Sequence, residues 1–211
     1  MYHEKNYDEF ILQYTDTVKK NPDSHFLIGR VVSNLQKYST RESLQMIYDA
    51  FSQTNKDSYF GEIIEHYMEN YYVFSDTILP AYDTGKLESI IQDSTKINLV
   101  AFSASWCIPC HKQIPILKEI YNDLKGCIEI TYISEDEFDY VDNWRKLMKE
   151  ENIPWRSLLA MNDVEAIRKK YNAIAIPYVL LVYPGNGRLE SLDVRVKEDK
   201  DKLYSLCGKN N

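Results

Sequence analysis

The sequence predicts an α/β sandwich with a central mixed sheet, preceded by an all-helical region. Three observations carry that expectation. Residues 5–71 set apolar side chains at helical spacing, and from residue 73 the pattern becomes alternating strands and helices. Within the second region, "NLVAFSASWCIPCHKQIP" (98–115) places a continuous apolar run directly before two cysteines at Cys-x-x-Cys spacing.

In the first region, "YDEFILQYTDTVKKNP" aligns Phe10, Ile11, Tyr14 and Val18 and stops at Pro22. "SHFLIGRVVSNLQKY" follows, with Phe26, Leu27, Val31 and Leu35 on one side. "STRESLQMIYDAFSQ" opens with Ser39 and Glu42 at capping-box spacing, then carries Leu44, Ile47, Tyr48 and Phe51. "DSYFGEIIEHYMENYY" adds Phe60, Ile63, Ile64, Tyr67 and Met68. Four amphipathic helices with short connections predict a small bundle or helical-hairpin pair over residues 1–72. His25 and His66 stand singly, without a partner at metal-ligand spacing, and are assigned to surface or packing.

The second region, 73–211, reads as a strand at "YVFSDTIL", a turn at "PAYDTG" and a short helix at "KLESIIQDS". "INLVAFSA" has the near-continuous apolar character of a central parallel strand. A helix follows over 108–125, then the strand "IEITYIS", the helix "YVDNWRKLMKEEN", the short strand "RSLLA" and the helix "DVEAIRKKYN". "YVLLVYP" and "LESLDVRV" flank "GNG", a hairpin signal, and a helix closes the chain.

Composition excludes several classes. The balance of 25 Lys+Arg against 32 Asp+Glu gives −7, with no sustained basic block, so nucleic acid is not an expected partner. The tail "VKEDKDKLYSLCGKNN" mixes both signs and reads as a solvated helix face. No window predicts a membrane span, and "MYHEKNYDEF" lacks the basic and apolar regions of a signal peptide. With 4 cysteines in 211 residues the chain is no disulfide scaffold, and Cys127 and Cys207, standing alone, are expected to be buried free thiols.

A strand leading through Cys107 into a helix is the geometry that activates a thiol. Unpaired N–H groups and the positive end of the helix dipole meet there and favour thiolate. In such motifs the pKa falls to roughly 3.5–7.5. Cys110, one turn in, is placed to attack a mixed disulfide formed at Cys107. Pro109 suits the first helical turn, where a missing N–H leaves no bond unmade.

These residues resemble the thioredoxin superfamily, in particular the TlpA/ResA-like thiol-disulfide oxidoreductases. The resemblance covers about residues 73–208 and rests on "VAFSASWCIPC", Pro115, the αβ segment around 134–160, and "AIP" at 175–177. It implies a thioredoxin-like three-layer α/β/α sandwich. It also implies a catalytic Cys107–Cys110 couple exchanging with protein thiols and disulfides, without metal or organic cofactor. Pro177 matches the superfamily's cis-proline, and the backbone of Ile176 beside it would pair with a substrate strand. Trp106, Ile108 and Pro109 would complete the substrate-binding surface. Trp155 and Arg156 also look family-like and are expected to pack or recognise near the site.

Three positions depart from the pattern. Ser103 stands where relatives often have Trp, which would open one wall of the site. Ala101 replaces thioredoxin's buried acid, and Gln113 replaces the glutamate of ResA-like proteins. Gln113 and His111 are the residues at the proton-transfer position, and because an amide cannot take a proton the rate or direction of exchange is expected to differ, with the disulfide chemistry itself kept. The acid-rich "SEDEFDYVD" could approach the site's rim, although a solvated loop is the expected form.

Zinc needs four ligands, usually with a second close cysteine pair, and none is present. Ala104 stands where peroxiredoxins carry a threonine. A purely structural bridge across so small a loop would stabilise little. The remaining alternative is a thioredoxin-like binding module of weakened redox activity, with the helical region as its working surface. Relatives of this type mostly work outside the cytoplasm with a membrane-bound electron donor. A periplasmic or cell-envelope location is therefore expected, with the leader trimmed or the start misassigned, and the cytoplasm as the alternative.

Overall fold

The computed structural model describes residues 2–209 except 39, 71, 174 and 186. The chain divides into two compact units, Met1–Tyr72 and Val73–Asn211.

The first unit is helical: α1 (Tyr2–Lys20), α2 (His25–Val32), α3 (Arg41–Asp49), α4 (Gln53–Lys56) and α5 (Tyr59–Asn70). Ile11, Val18, Ile28, Val31, Leu44, Ile47 and Ile64 form its core. Phe10 and Phe26, expected on inner faces, are instead exposed. The second expected helix stops early, at Val32. Ser33 Oγ and Asn34 Nδ2 donate back to the carbonyls of Gly29 and Arg30, and Leu35–Lys37 winds as a 3-10 turn. The expected cap Ser39 lies outside the described residues. Thr40 caps α3, its hydroxyl accepting from Ser43 N, so Glu42 falls one position short of a capping box.

The second unit begins with a hairpin of β1 (Ile78–Pro80) and β2 (Leu87–Ser89). Then follow β3 (Ile97–Ser103), α6 (Ile108–Leu124), β4 (Ile128–Ser134), α7 (Val141–Glu150), β5 (Arg156–Leu159), α8 (Val164–Tyr171), β6 (Tyr178–Val182), β7 (Leu189–Leu192) and α9 (Lys197–Leu206). The central sheet runs β5-β4-β3-β6-β7. Its β3–β4 and β4–β5 pairs are parallel, while β6 and β7 join antiparallel, so the sheet is mixed. Leu99 and Ala101 of β3 enter one core with Leu117 of α6, Trp144 of α7 and Leu203 of α9. Val100 and Phe102 enter the opposite core with Ile167 of α8 and Leu79 of β1. The alternation of one strand between two helical layers is what makes the unit a three-layer sandwich.

Two expectations are corrected here. "KLESIIQDS" is not a helix, because its backbone groups find partners elsewhere. Gly85, at φ 69°, turns the chain so that Ala81 N reaches Lys86 O. Ile90 N donates to Asp76 Oδ1, and the Arg156 guanidinium takes the carbonyls of Ser89 and Ile90. Cys127 and Cys207 are not free thiols but a disulfide, with Cα atoms 5.8 Å apart across 80 residues of sequence. Packing brings them together: Leu203 and Tyr204 of α9 share a core with Leu124 and Ile128, and Tyr204 Oη donates to Asp123. At the β6–β7 hairpin, Tyr183 N reaches Arg188 O and both Gly185 and Gly187 have positive φ, while Asn186 lies outside the described residues.

Candidate active site

Every residue of β3 is buried. Beyond Ser103 the chain turns, with Cys107 N donating to Ala104 O, and enters α6 with Cys107 as its N-cap. Cys107 and Cys110 are bonded to each other, and Cys107 Sγ accepts from the backbone N–H of Cys110 at 3.3 Å. That donor is one of the orphan groups of a helix start, and it points at the sulfur. Both cysteines are buried, at 4% and 2% exposure. Around them Trp106 is 58% and Ile108 67% exposed, and Pro109 is also exposed, so an apolar rim stands over sunken sulfurs.

Ala104, Cys107 and Cys110 form a small apolar cluster of their own, and Ile176 packs against it. The Ile176–Pro177 bond is cis, as expected. The sheet explains why this segment arrives here: Tyr178, the first residue of β6, pairs with Phe102 near the end of β3.

Ala101 and Ser103 are both buried. Gln113 is buried on α6, one turn beyond Cys110. His111 is half-buried, and its Nε2 is buried without a hydrogen-bond partner among the described residues. Trp155 and Arg156 lie elsewhere. Trp155 packs against Tyr121 and Tyr132, and Arg156 is spent on the β2 segment through Glu88, Ser89 and Ile90. Trp155 is thus a packing residue, and Arg156 a hydrogen-bonding partner of the β2 segment.

The acidic segment after β4 corrects the expectation of a solvated loop. Glu137–Tyr140 is exposed, but Ser134, Glu135 and Asp136 are buried. The chain continues in register past the end of β4, with Glu135 N donating to Ser103 O. Glu135 then pairs with Arg168, whose Nε lies 2.8 Å away. Burial pushes the Glu135 carboxyl above the usual carboxylate range, and Arg168 works against that rise. Asp136 accepts from Ser105 N at 2.9 Å, from Ser134 Oγ at 2.9 Å, and from the Ser105 hydroxyl. Sequence reasoning missed this contact with the loop before Cys107. The available signal was a Ser-Glu-Asp run that follows a seven-residue buried strand with no glycine or proline to turn the chain away.

Among the described residues no helix is long and apolar enough to cross a membrane. A family model described as thioredoxin-like matches residues 94–189. Tryparedoxin of Trypanosoma brucei brucei is 30% identical over 108 residues, covering 47% of this chain and 71% of that protein. Chloroplastic thioredoxin Y2 of Arabidopsis thaliana is 36% identical over 56 residues, 26% of this chain, and the chain spans only 34% of its length. The thioredoxin domain of a thiol-disulfide oxidoreductase from Bacteroides vulgatus superposes with a TM-score of 0.57 at 23% identity, covering 64% of this chain and 95% of that one. The superposition speaks for the fold. The family model spans the cysteine pair, and with the tryparedoxin match it shows that the chain belongs to the thioredoxin-like family.

Proposed function

We propose that this chain is a thiol-disulfide oxidoreductase acting on protein thiols and disulfides, with Cys107 as the attacking residue and Cys110 as the resolving one. In the reduced protein, the Cys107 thiolate attacks one sulfur of a substrate disulfide. A mixed disulfide forms, and the departing substrate sulfur takes up a proton. Cys110 then loses its proton and attacks Cys107 Sγ, releasing the second substrate thiol. Two electrons have passed to the substrate, and the Cys107–Cys110 bond has formed in their place.

The observation that carries this reading is the bonded pair at the start of α6, with the Cys110 N–H directed at Cys107 Sγ. A sulfur held there is stabilised as thiolate by the donors of the helix start. Exposed Trp106, Ile108 and Pro109 would contact the substrate, together with Ile176 and Pro177. His111, directly after Cys110, and Gln113, one helical turn beyond it, are the candidates for handling the proton that Cys110 must lose.

The test is a pair of substitutions assayed by insulin reduction. Cys107→Ser should abolish exchange, and Cys110→Ser should accumulate a mixed disulfide through Cys107. Trapping through Cys110 in the Cys107→Ser protein would reverse the roles, and full activity of that protein would reject the mechanism.

We further place the chain among TlpA/ResA-like oxidoreductases of the periplasm or cell envelope, recharged by a membrane-bound electron donor. The Cys127–Cys207 bridge supports an oxidising compartment, because structural disulfides persist there and are rare in the cytosol. Release with a periplasmic marker on osmotic shock is the expected result, and retention with a cytoplasmic marker would refute the placement. Residues 1–72 are proposed as a helical domain and 73–211 as the thioredoxin-like domain. Limited proteolysis of the whole chain should cut first near 72–73, and a first cut inside either segment would count against that division.

A further inference from the structure

We propose that Asp136 is a positioning residue for Cys107, fixing the loop from which the thiol enters α6. The proposal rests on the reading that Cys107 is the attacking residue.

Asp136 is wholly buried. A buried carboxylate is costly unless hydrogen bonds compensate it. Among the described residues its hydrogen-bond partners are two serines. Both carboxylate oxygens close on Ser105, Oδ2 on its N–H and Oδ1 on its hydroxyl. Ser134 Oγ then braces Oδ2 and also accepts from Asp136 N at 3.2 Å, which locks the aspartate at the end of β4.

The consequence for the loop follows from the bonds on either side. The parallel β3–β4 ladder ends with Glu135 N donating to Ser103 O at 2.8 Å. Two residues on, Ser105 N–H donates to the Asp136 carboxylate. Cys107 N then donates to Ala104 O, and Cys110 N donates to Cys107 Sγ. The chain from Ser103 to Cys110 is thus pinned at successive points, and the side chain of Asp136 supplies a pin that reaches the loop from beyond the end of β4. Without it, the turn that aims Cys107 at the helix start is anchored only at its two ends.

The charge of Asp136 would oppose a nearby thiolate, since like charges disfavour one another. A benefit to Cys107 must therefore come through geometry. An asparagine keeps the shape, offering one oxygen to Ser105 N–H and an amide to the Ser105 hydroxyl, whereas alanine removes the clamp.

The experiment uses the full reduced chain. The rate of Cys107 alkylation by iodoacetamide is read at neutral pH by peptide mass spectrometry, with circular dichroism recording the folded fraction. Asp136→Ala should slow alkylation about tenfold or more, as expected for a nucleophile whose orientation is lost. Asp136→Asn should recover the rate to within about threefold of the unaltered protein, the scale of one hydrogen bond weakened without its geometry. Ser105→Ala removes the hydroxyl bond alone and should fall between, and it carries the test if Asp136→Ala does not fold. A purely structural aspartate would lower the melting temperature without changing the rate per folded molecule. An alanine rate within about twofold of normal overturns the proposal, as does an asparagine rate equal to that of alanine. If the alanine protein does not fold, an unchanged rate in Ser105→Ala overturns it. Retained exchange activity in Cys107→Ser would reject the catalytic reading instead, leaving the alkylation result intact.

Discussion

Removing the second disulfide should cost this protein several kcal/mol, and the structure says where that loss arises. In Cys127→Ala/Cys207→Ala, α9 keeps its folded contacts: Leu203 and Tyr204 remain in the core, and Tyr204 Oη stays 2.7 Å from Asp123. The two half-buried sulfurs contribute little surface. The effect therefore falls mainly on the unfolded chain, which regains the freedom of a loop closed across 80 residues. The chain-entropy relation puts that freedom at about 4–5 kcal/mol at 25 °C. All 3 tryptophans, Trp106, Trp144 and Trp155, lie within Val73–Asn211, so urea unfolding followed by tryptophan fluorescence reports on that unit. The variant should lose about 3–5 kcal/mol and unfold with a larger urea dependence, because its unfolded state is more expanded. Cys107–Cys110 is kept oxidised in both proteins. A loss below about 1 kcal/mol with unchanged urea dependence would refute the reasoning, by showing that the bridge does not restrict the unfolded chain.

Two further outcomes are expected. Gln113→Glu places a carboxyl at a buried position near Cys110, where burial raises its affinity for a proton. It should speed the resolving step about tenfold or more near pH 7 and leave the first attack unchanged. Stopped-flow kinetics over about pH 6 to 9 would show it, and an unchanged resolving step would point to His111 or water as the proton's route. Arg168→Met removes the partner of Glu135 and should destabilise by about 2 kcal/mol at neutral pH, the low side of the range because Arg168 is 37% exposed. Burial already raises the Glu135 carboxyl, and losing Arg168 raises it further. A group with a raised folded pKa stabilises below its unfolded pKa and loses that contribution as pH rises through the folded value. The deficit should therefore shrink as pH falls toward about 4, and a deficit independent of pH in denaturant titrations would refute the account.

The parts of this fold that were legible in sequence are those set by local periodicity. The seven-residue apolar run of β3 admits one reading, and the Cys-x-x-Cys pair after it inherits a helix N-terminus from strand-turn-helix grammar alone. What was illegible depends on partners distant along the chain. Leu87–Ser89 looks helical until Gly85 turns it back on Ile78–Pro80 and Arg156 takes its carbonyls. Cys127 and Cys207 look solitary because the bridge depends on where α9 packs, a property of the folded core. Glu135 and Asp136 look like solvated acids because charge alone suggests exposure, whereas Arg168, Ser105 and Ser134 supply the bonds that make their burial tolerable.

The arrangement of the site follows from strand direction. Because β3 and β4 are parallel, their C-terminal ends lie side by side, and the loops leaving them, with Cys107 on one and Asp136 on the other, emerge together. Because β6 is antiparallel to β3, it presents its N-terminal end there instead, which brings Ile176 and Pro177 to the same edge. Three segments thus meet because one strand in the sheet runs against its neighbours. A parallel β6 would have carried Ile176 to the opposite edge of the sheet, leaving the cysteines without the residue that packs against them. The mixed sheet is therefore a condition of the site, and the chemistry proposed for Cys107 depends on topology as much as on the two sulfurs.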